Sequence, residues 1–115
     1  MPKRRLDPLP SAAFQILLAL AEEDQHGYGI MRQVKEQTGG SMRLGPGTLY
    51  SSIQALLEEG LIAEVEAKQA DAADSRRRVY RLTKGGHKLA CAEAERLAGV
   101  LRVARARRVL RGDYV

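Results

Sequence analysis

Histidine and cysteine are the side chains best able to hold a metal or to attack an electrophile, and this 115-residue chain has few of them: His26, His87 and Cys91. None stands at a metal-ligand or nucleophile–base spacing, so no metal, cofactor or enzymatic activity is expected. Gly45-Pro46-Gly47-Thr48 lacks the Lys and the loop length of a phosphate-binding P-loop. The remaining chemistry suits a polyanion. Thr48, Ser51, Ser52 and Gln54 are polar, while Leu49, Ile53, Leu56 and Leu57 of the same segment fall on one helical face. On the polar face, Ser and Thr can bond phosphates or base edges, Gln can pair bidentately with adenine, and Ala55 would meet a thymine methyl. Arg76, Arg77 and Arg78, with Lys68 at the far end of the same polar stretch, could neutralise phosphates or enter a minor groove. The alternative is a solvated polar face and a solvated basic turn that need no partner.

Composition points the same way. The formal charge is +5 and the sequence pI about 9.7, which favours a polyanionic partner. An apolar fraction of 44% supports one packed domain at this length and leaves no room for a second. With Phe14, four Tyr and no Trp, aliphatic helix packing must build most of the core. A lone cysteine permits no intrachain disulfide, and Lys3, Arg4 and Arg5 are followed by no apolar run of signal-peptide or membrane-spanning length, so a soluble cytoplasmic protein is expected.

The elements that must position these residues follow from periodicity. Ser11 is a suitable N-cap for a first helix with Phe14, Leu17, Leu18 and Ala21 on its inner face. His26-Gly27-Tyr28-Gly29 interrupts the pattern, and Ile30, Met31 and Val34 mark a second helix ending at Gly39-Gly40. After the turn-rich residues 44–47, Thr48 opens a third helix that ends at Gly60. Residues 61–66 and 79–82 read as two paired strands, joined by a long polar loop from Lys68 to Arg78. From Thr83 a fourth, Arg-rich helix carries Leu89, Ala90, Ala94, Leu97, Leu101 and Ala104 at helical spacing. Three short helices, a two-stranded ribbon and a further helix is the order of a winged helix-turn-helix, in which the third helix enters the major groove and the loop between strands is the wing. The apolar stripe of the last helix exceeds what one domain needs, so Leu89, Leu97, Leu101 and Ala104 are expected to pair with the same helix of a second subunit; the alternative is that the stripe folds back on its own domain. Gly85 and Gly86 at its start predict a hinge.

Three stretches carry a resemblance to a known family: His26-Gly27-Tyr28-Gly29-Ile30, Gly47-Thr48-Leu49-Tyr50 with Leu57-Glu58-Glu59-Gly60-Leu61-Ile62, and Arg78-Val79-Tyr80-Arg81-Leu82-Thr83-Lys84-Gly85-Gly86. Over residues 11–101 the chain resembles the PadR-like bacterial transcription regulators, which pair a winged helix-turn-helix with a C-terminal dimerisation helix. The resemblance implies that Tyr50 and its polar neighbours lie at the DNA surface and that Tyr28 seats the second helix against it, although Tyr28 and Tyr80 could each serve packing alone. Ser51 stands where the family often has Pro, and the wing loop is comparatively long. The absence of Trp from the last helix disfavours the flat aromatic ligands that some relatives hold there.

The expected architecture is therefore mainly α with a small β-hairpin. A flexible basic lead at residues 1–10 precedes a winged helix-turn-helix at 11–83, a dimerisation helix at 84–111 and a tail at 112–115. The expected function is homodimeric, sequence-specific binding to a pseudo-palindromic double-stranded operator, as a repressor with room for a small-molecule inducer. The competing reading is a winged-helix adaptor that binds an acidic protein.

Overall fold

Pro10 starts the fold by fixing an extended residue whose carbonyl accepts the first helical bond, from Phe14 N at 3.0 Å. Ser11 is consequently the first helical residue, not the cap its type suggested. The computed structural model describes residues 6, 9–65 and 78–111. Over these the order is α1 (Ser11–Glu22), β1 (Gln25–His26), α2 (Gly27–Gln37), α3 (Pro46–Glu58), β2 (Ile62–Val65), β3 (Val79–Leu82) and α4 (Lys84–Ala106).

α1 lies at the centre, touching α2, α3, α4 and β3. A helix covered on more than one side cannot show a single apolar stripe. Ala13, Ile16, Ala19 and Leu20 are buried beside Phe14 and Leu17, whereas Leu18 and Ala21, expected inside, face outward. Leu6 and Leu9 also join the core, while the basic residues Lys3, Arg4 and Arg5 of the expected flexible lead lie outside the described residues. α2 buries Ile30 and Val34 and ends where Gly39 and Gly40 turn left-handed, at φ 62° and 84°, their N–H groups returning to Glu36 O and Lys35 O.

α3 begins two residues earlier than the sequence pattern indicates. Gly45 is its extended N-cap and Pro46 its first residue, a position where the missing N–H costs nothing. It ends at Glu58, and the chain turns away at Gly60, φ 71°, with Leu61 N donating to Leu56 O at 3.0 Å.

Among the described residues the sheet has three strands, not the two of a simple ribbon, in the order β1-β3-β2 and antiparallel throughout. Gln25 pairs with Tyr80 and His26 with Val79 on one side of β3; Glu64 pairs with Tyr80 and Val65 with Val79 on the other. β1 has only two polar residues and no alternation for a sequence reading to detect.

The junction into α4 is tied on several sides. The Thr83 hydroxyl accepts from Gly86 N at 3.0 Å and donates to Gly60 O at 2.7 Å, while Thr83 N donates to Leu61 O at 3.2 Å. A Cβ on Gly86 would overlap the Leu61 carbonyl oxygen and come within 2.7 Å of Leu82 Cδ1. Gly86 is therefore a close-approach residue joining α4 to the end of α3, and the expected hinge at Thr83–Gly86 is instead a packed joint. α4 stops at Ala106, short of residue 111: Arg107 caps it, Arg108 turns left-handed at φ 61°, and Val109 N returns to Ala104 O.

Candidate nucleic-acid interface

The inner face of α3, Leu49, Ile53, Ala55 and Leu56, is buried and fixes what the helix can present. Thr48, Tyr50, Ser51 and Gln54 are exposed and Ser52 is half-buried. Ala55, expected on the outer face, is only 7% exposed; it belongs to the core and is unavailable to a thymine methyl. Leu57, expected inside, is half-buried at the boundary. The Gln54 amide nitrogen donates to Glu58 Oε1 at 3.3 Å, a long exposed bond one turn along the helix that a base edge can displace cheaply.

Among the described residues no side chain caps the start of α3, and residues 45–48 are all exposed. The Gly47 and Thr48 N–H groups precede the first intrahelical donor, Leu49 N, and meet solvent at the positive end of the helix dipole, an arrangement suited to a phosphate.

α2 contributes more than the sequence reading assigned to it. Tyr28 is 57% exposed, so it is not a core residue. Arg32, itself exposed, places its guanidinium carbon 6.0 Å from the Tyr28 ring centroid, a cation–π contact. Lys35 continues the strip, and Tyr28, Arg32, Lys35, Glu36, Gly39 and Gly40 line one shallow groove. Arg32 and Lys35 are isolated cations in sequence, with no run of charge to mark them. Their i+4 and i+7 spacing from Tyr28 was the available signal.

Between the start of α2, α3 and the sheet lies a cavity of about 440 Å³, walled by residues that include His26, Tyr28, Tyr50, Gln54, Glu64, Arg78 and Tyr80. His26 Nδ1 is buried there without a hydrogen-bond partner among the described residues. Tyr80 is buried; desolvation, then the Glu64 carboxylate and Tyr50, raise its phenol above the ordinary tyrosine range, while Arg78 opposes them. Arg78 is not a free cation: its Nη1 donates to Glu64 Oε1 at 3.0 Å in an exposed pair of small energetic worth. Lys68, Arg76 and Arg77, the remainder of the expected wing contacts, lie outside the described residues. His87 and Cys91 sit one turn apart on exposed α4, Nδ1 to Sγ 3.7 Å, and among the described residues no group of three potential metal ligands comes together.

On α4 the apolar residues divide. Leu89 and Leu97 pack on the core of their own domain, as the fold-back alternative required, whereas Val100, Leu101 and Val103 remain exposed at 51%, 38% and 56%. Ala104 is half-buried and Ala94 exposed. Arg107, Arg108 and Arg111 lie past the helix end.

The Transcriptional regulator PadR-like family matches residues 16–91. The chain belongs to this family. It has the family's winged-helix fold, and its long C-terminal helix is present as α4. The fold is shared with a transcriptional regulator from Clostridium thermocellum, with TM-score 0.70 and 26% identity over 83% of this chain and 87% of that one. It is shared also with a PadR family transcription regulator from Clostridium difficile, with TM-score 0.71 and 22% identity over 84% and 97%. RosR of H. salinarum aligns with TM-score 0.63 and 24% identity over 91% and 99%. A 37.1 kDa uncharacterised protein of a Streptomyces fradiae transposon is 34% identical over 87 residues; the match covers 76% of this chain and 23% of that protein's length. No helix among the described residues is long and apolar enough to cross a membrane.

Proposed function

We propose that this PadR-like regulator binds a pseudo-palindromic operator as a homodimer and represses by occupancy. The observation that carries the reading is the free outer face of α3: Thr48, Tyr50, Ser51 and Gln54 stand exposed behind an uncapped helix start, beside the exposed Tyr28 of α2. Tyr50, Ser51 and Gln54 read base edges with Ser52 at their margin, while Thr48, Arg32 and Lys35 hold phosphates, and Lys68, Arg76, Arg77 and Arg78 supply the wing. Gln54 is the residue best suited to discriminate adenine. Val100, Leu101 and Val103, with Ala104, form the contact between subunits, because three large apolar side chains in water on one short segment favour a partner surface. A two-fold axis there sets the two α3 helices on successive major grooves, about 34–36 Å apart. Release from DNA by a small-molecule inducer belongs to this reading, as does a cytoplasmic location.

The test is retention of genomic fragments by the purified protein at two salt concentrations, followed by sequencing. Enrichment of one inverted repeat that persists at the higher salt is the expected result. Retention that salt abolishes, with no shared motif, would replace this reading with the acidic-protein adaptor.

A further inference from the structure

We propose that Gly27 is a positioning residue for Tyr50: the missing side chain at the start of α2 is the seat that aims the Tyr50 phenol at DNA. The inference rests on the operator-binding reading above. Tyr50 is 53% exposed, and no described residue hydrogen-bonds its hydroxyl. A tyrosine so exposed ordinarily samples several rotamers and loses that freedom on binding. Here one edge of the ring is held. A Cβ built on Gly27 would stand 2.7 Å from the Tyr50 hydroxyl oxygen, 3.1 Å from Cζ and 3.2 Å from Cε1, so the phenol occupies the space that any other residue at 27 would fill.

The backbone does not explain this glycine. Among the described residues the left-handed glycines are Gly39, Gly40 and Gly60; Gly27 is a buried helical residue where alanine would suit the helix better. Its missing Cβ serves its neighbour. The contrast with Gly86 is direct, because there a Cβ meets backbone, whereas at Gly27 it meets the tip of a flexible side chain. Alanine at 27 is therefore accommodated by swinging the phenol out of its seat, with the fold intact. A pre-set phenol docks without first being ordered, which is how a rigid reader gains discrimination.

The experiment is a double-mutant cycle on full-length protein, with Gly27→Ala in native and Tyr50→Ala backgrounds, measured against the selected operator and random DNA. It is joined by nuclear Overhauser contacts in the DNA-free protein. In the native background Gly27→Ala should lower the operator-over-random preference about tenfold without lowering the melting temperature; in the Tyr50→Ala background it should change that preference less than twofold. A contact between Gly27 Hα and the Tyr50 ring should be present in the free native protein and lost in Gly27→Ala. Equal losses in both backgrounds, no loss in the native one, or absence of the contact from the free native protein would each overturn the seat. The contact present, with no operator preference in any variant, would instead overturn the DNA reading beneath it.

Discussion

Replacing Gly85 and Gly86 separately by alanine should move stability in opposite directions. At Gly85 a Cβ would have its nearest neighbours, Gly60 O and Thr83 Oγ1, at 3.8 Å, ordinary contact distances. Alanine in a helix is favoured over glycine by about 0.5–1 kcal/mol, so Gly85→Ala should be neutral or slightly stabilising. At Gly86 the Cβ meets the Leu61 carbonyl, and that carbonyl has little freedom to retreat. Leu61 N is held by Leu56 O, and Leu61 O accepts from Thr83 N. α4 must therefore lift from the end of α3. Overpacking of this kind costs about 1–3 kcal/mol, and loosening the Thr83 cap adds about 1 kcal/mol, so the total is about 2–4 kcal/mol. For a domain of this size each kcal/mol moves the midpoint by roughly 4–8 °C, which makes the expected fall at least about 8 °C. The assay is thermal unfolding followed by circular dichroism at one fixed protein concentration, since any dimer makes the midpoint concentration-dependent. A Gly86→Ala variant melting within about 2 °C of the native protein, or equal shifts for both variants, would refute the packed joint and restore the hinge.

Gln54→Ala should cost roughly 1–3 kcal/mol of discrimination at one base pair of each half-site and little on random DNA; equal losses on both would remove Gln54 from base reading. Arg32→Ala should weaken all duplexes alike and reduce the slope of log affinity against log salt by about one, whereas an unchanged slope would detach α2 from the backbone. Val103→Asp should leave the domain folded and halve the sedimenting mass, and a dimer that survives it would move the subunit contact off the end of α4. Leu97→Asp is unsuitable for that purpose, because Leu97 packs on its own core. Tyr80 should ionise above the ordinary tyrosine range in an absorbance titration at alkaline pH. Its folded pKa is raised, so the neutral phenol's contribution to stability is complete below the ordinary tyrosine pKa near 10 and is lost as pH rises through the folded value. Tyr80→Phe should remove the late phase, and its persistence would place the desolvated phenol elsewhere.

Long periodic segments were legible because burial on one side writes itself into spacing. α3 and α4 were found that way, as was β3, whose bounds at Val79 and Leu82 agree with the sequence reading. The failures share a cause, which is that tertiary contact decided the matter. α1 is packed on several sides, so a single-stripe pattern places Leu18 and Ala21 inward and misses Ile16 and Leu20. Ala55 has no polarity to betray its face, and a small side chain fits inside as readily as out. Arg78 reads as a free cation until Glu64 appears across the strands, 14 residues away in sequence. The exposed strip of α2 is readable in principle from Tyr28, Arg32 and Lys35 at i, i+4 and i+7, yet three residues of mixed type are a faint pattern beside a run of arginines.

Glycine shows most clearly why type alone could not finish the reading. At Gly39, Gly40 and Gly60 the residue is demanded by left-handed φ, and the sequence signal of a helix end was enough. At Gly86 and Gly27 the backbone is ordinary and the demand comes from a neighbour, the Leu61 carbonyl in one case and the Tyr50 phenol in the other. The consequence for regulation follows from the first. With α4 packed on the core through Gly86, Ala90 and Leu97, the inner part of that helix belongs to its own winged domain. In the proposed dimer, any signal that changes the angle between the two α3 helices must therefore act beyond Leu97, on the contact that Val100, Leu101 and Val103 make with their partner. A crosslink placed across that contact should then fix operator affinity in one state, while a crosslink between α4 and α1 within one subunit should leave the response intact; the reverse outcome would put the moving part back at the joint.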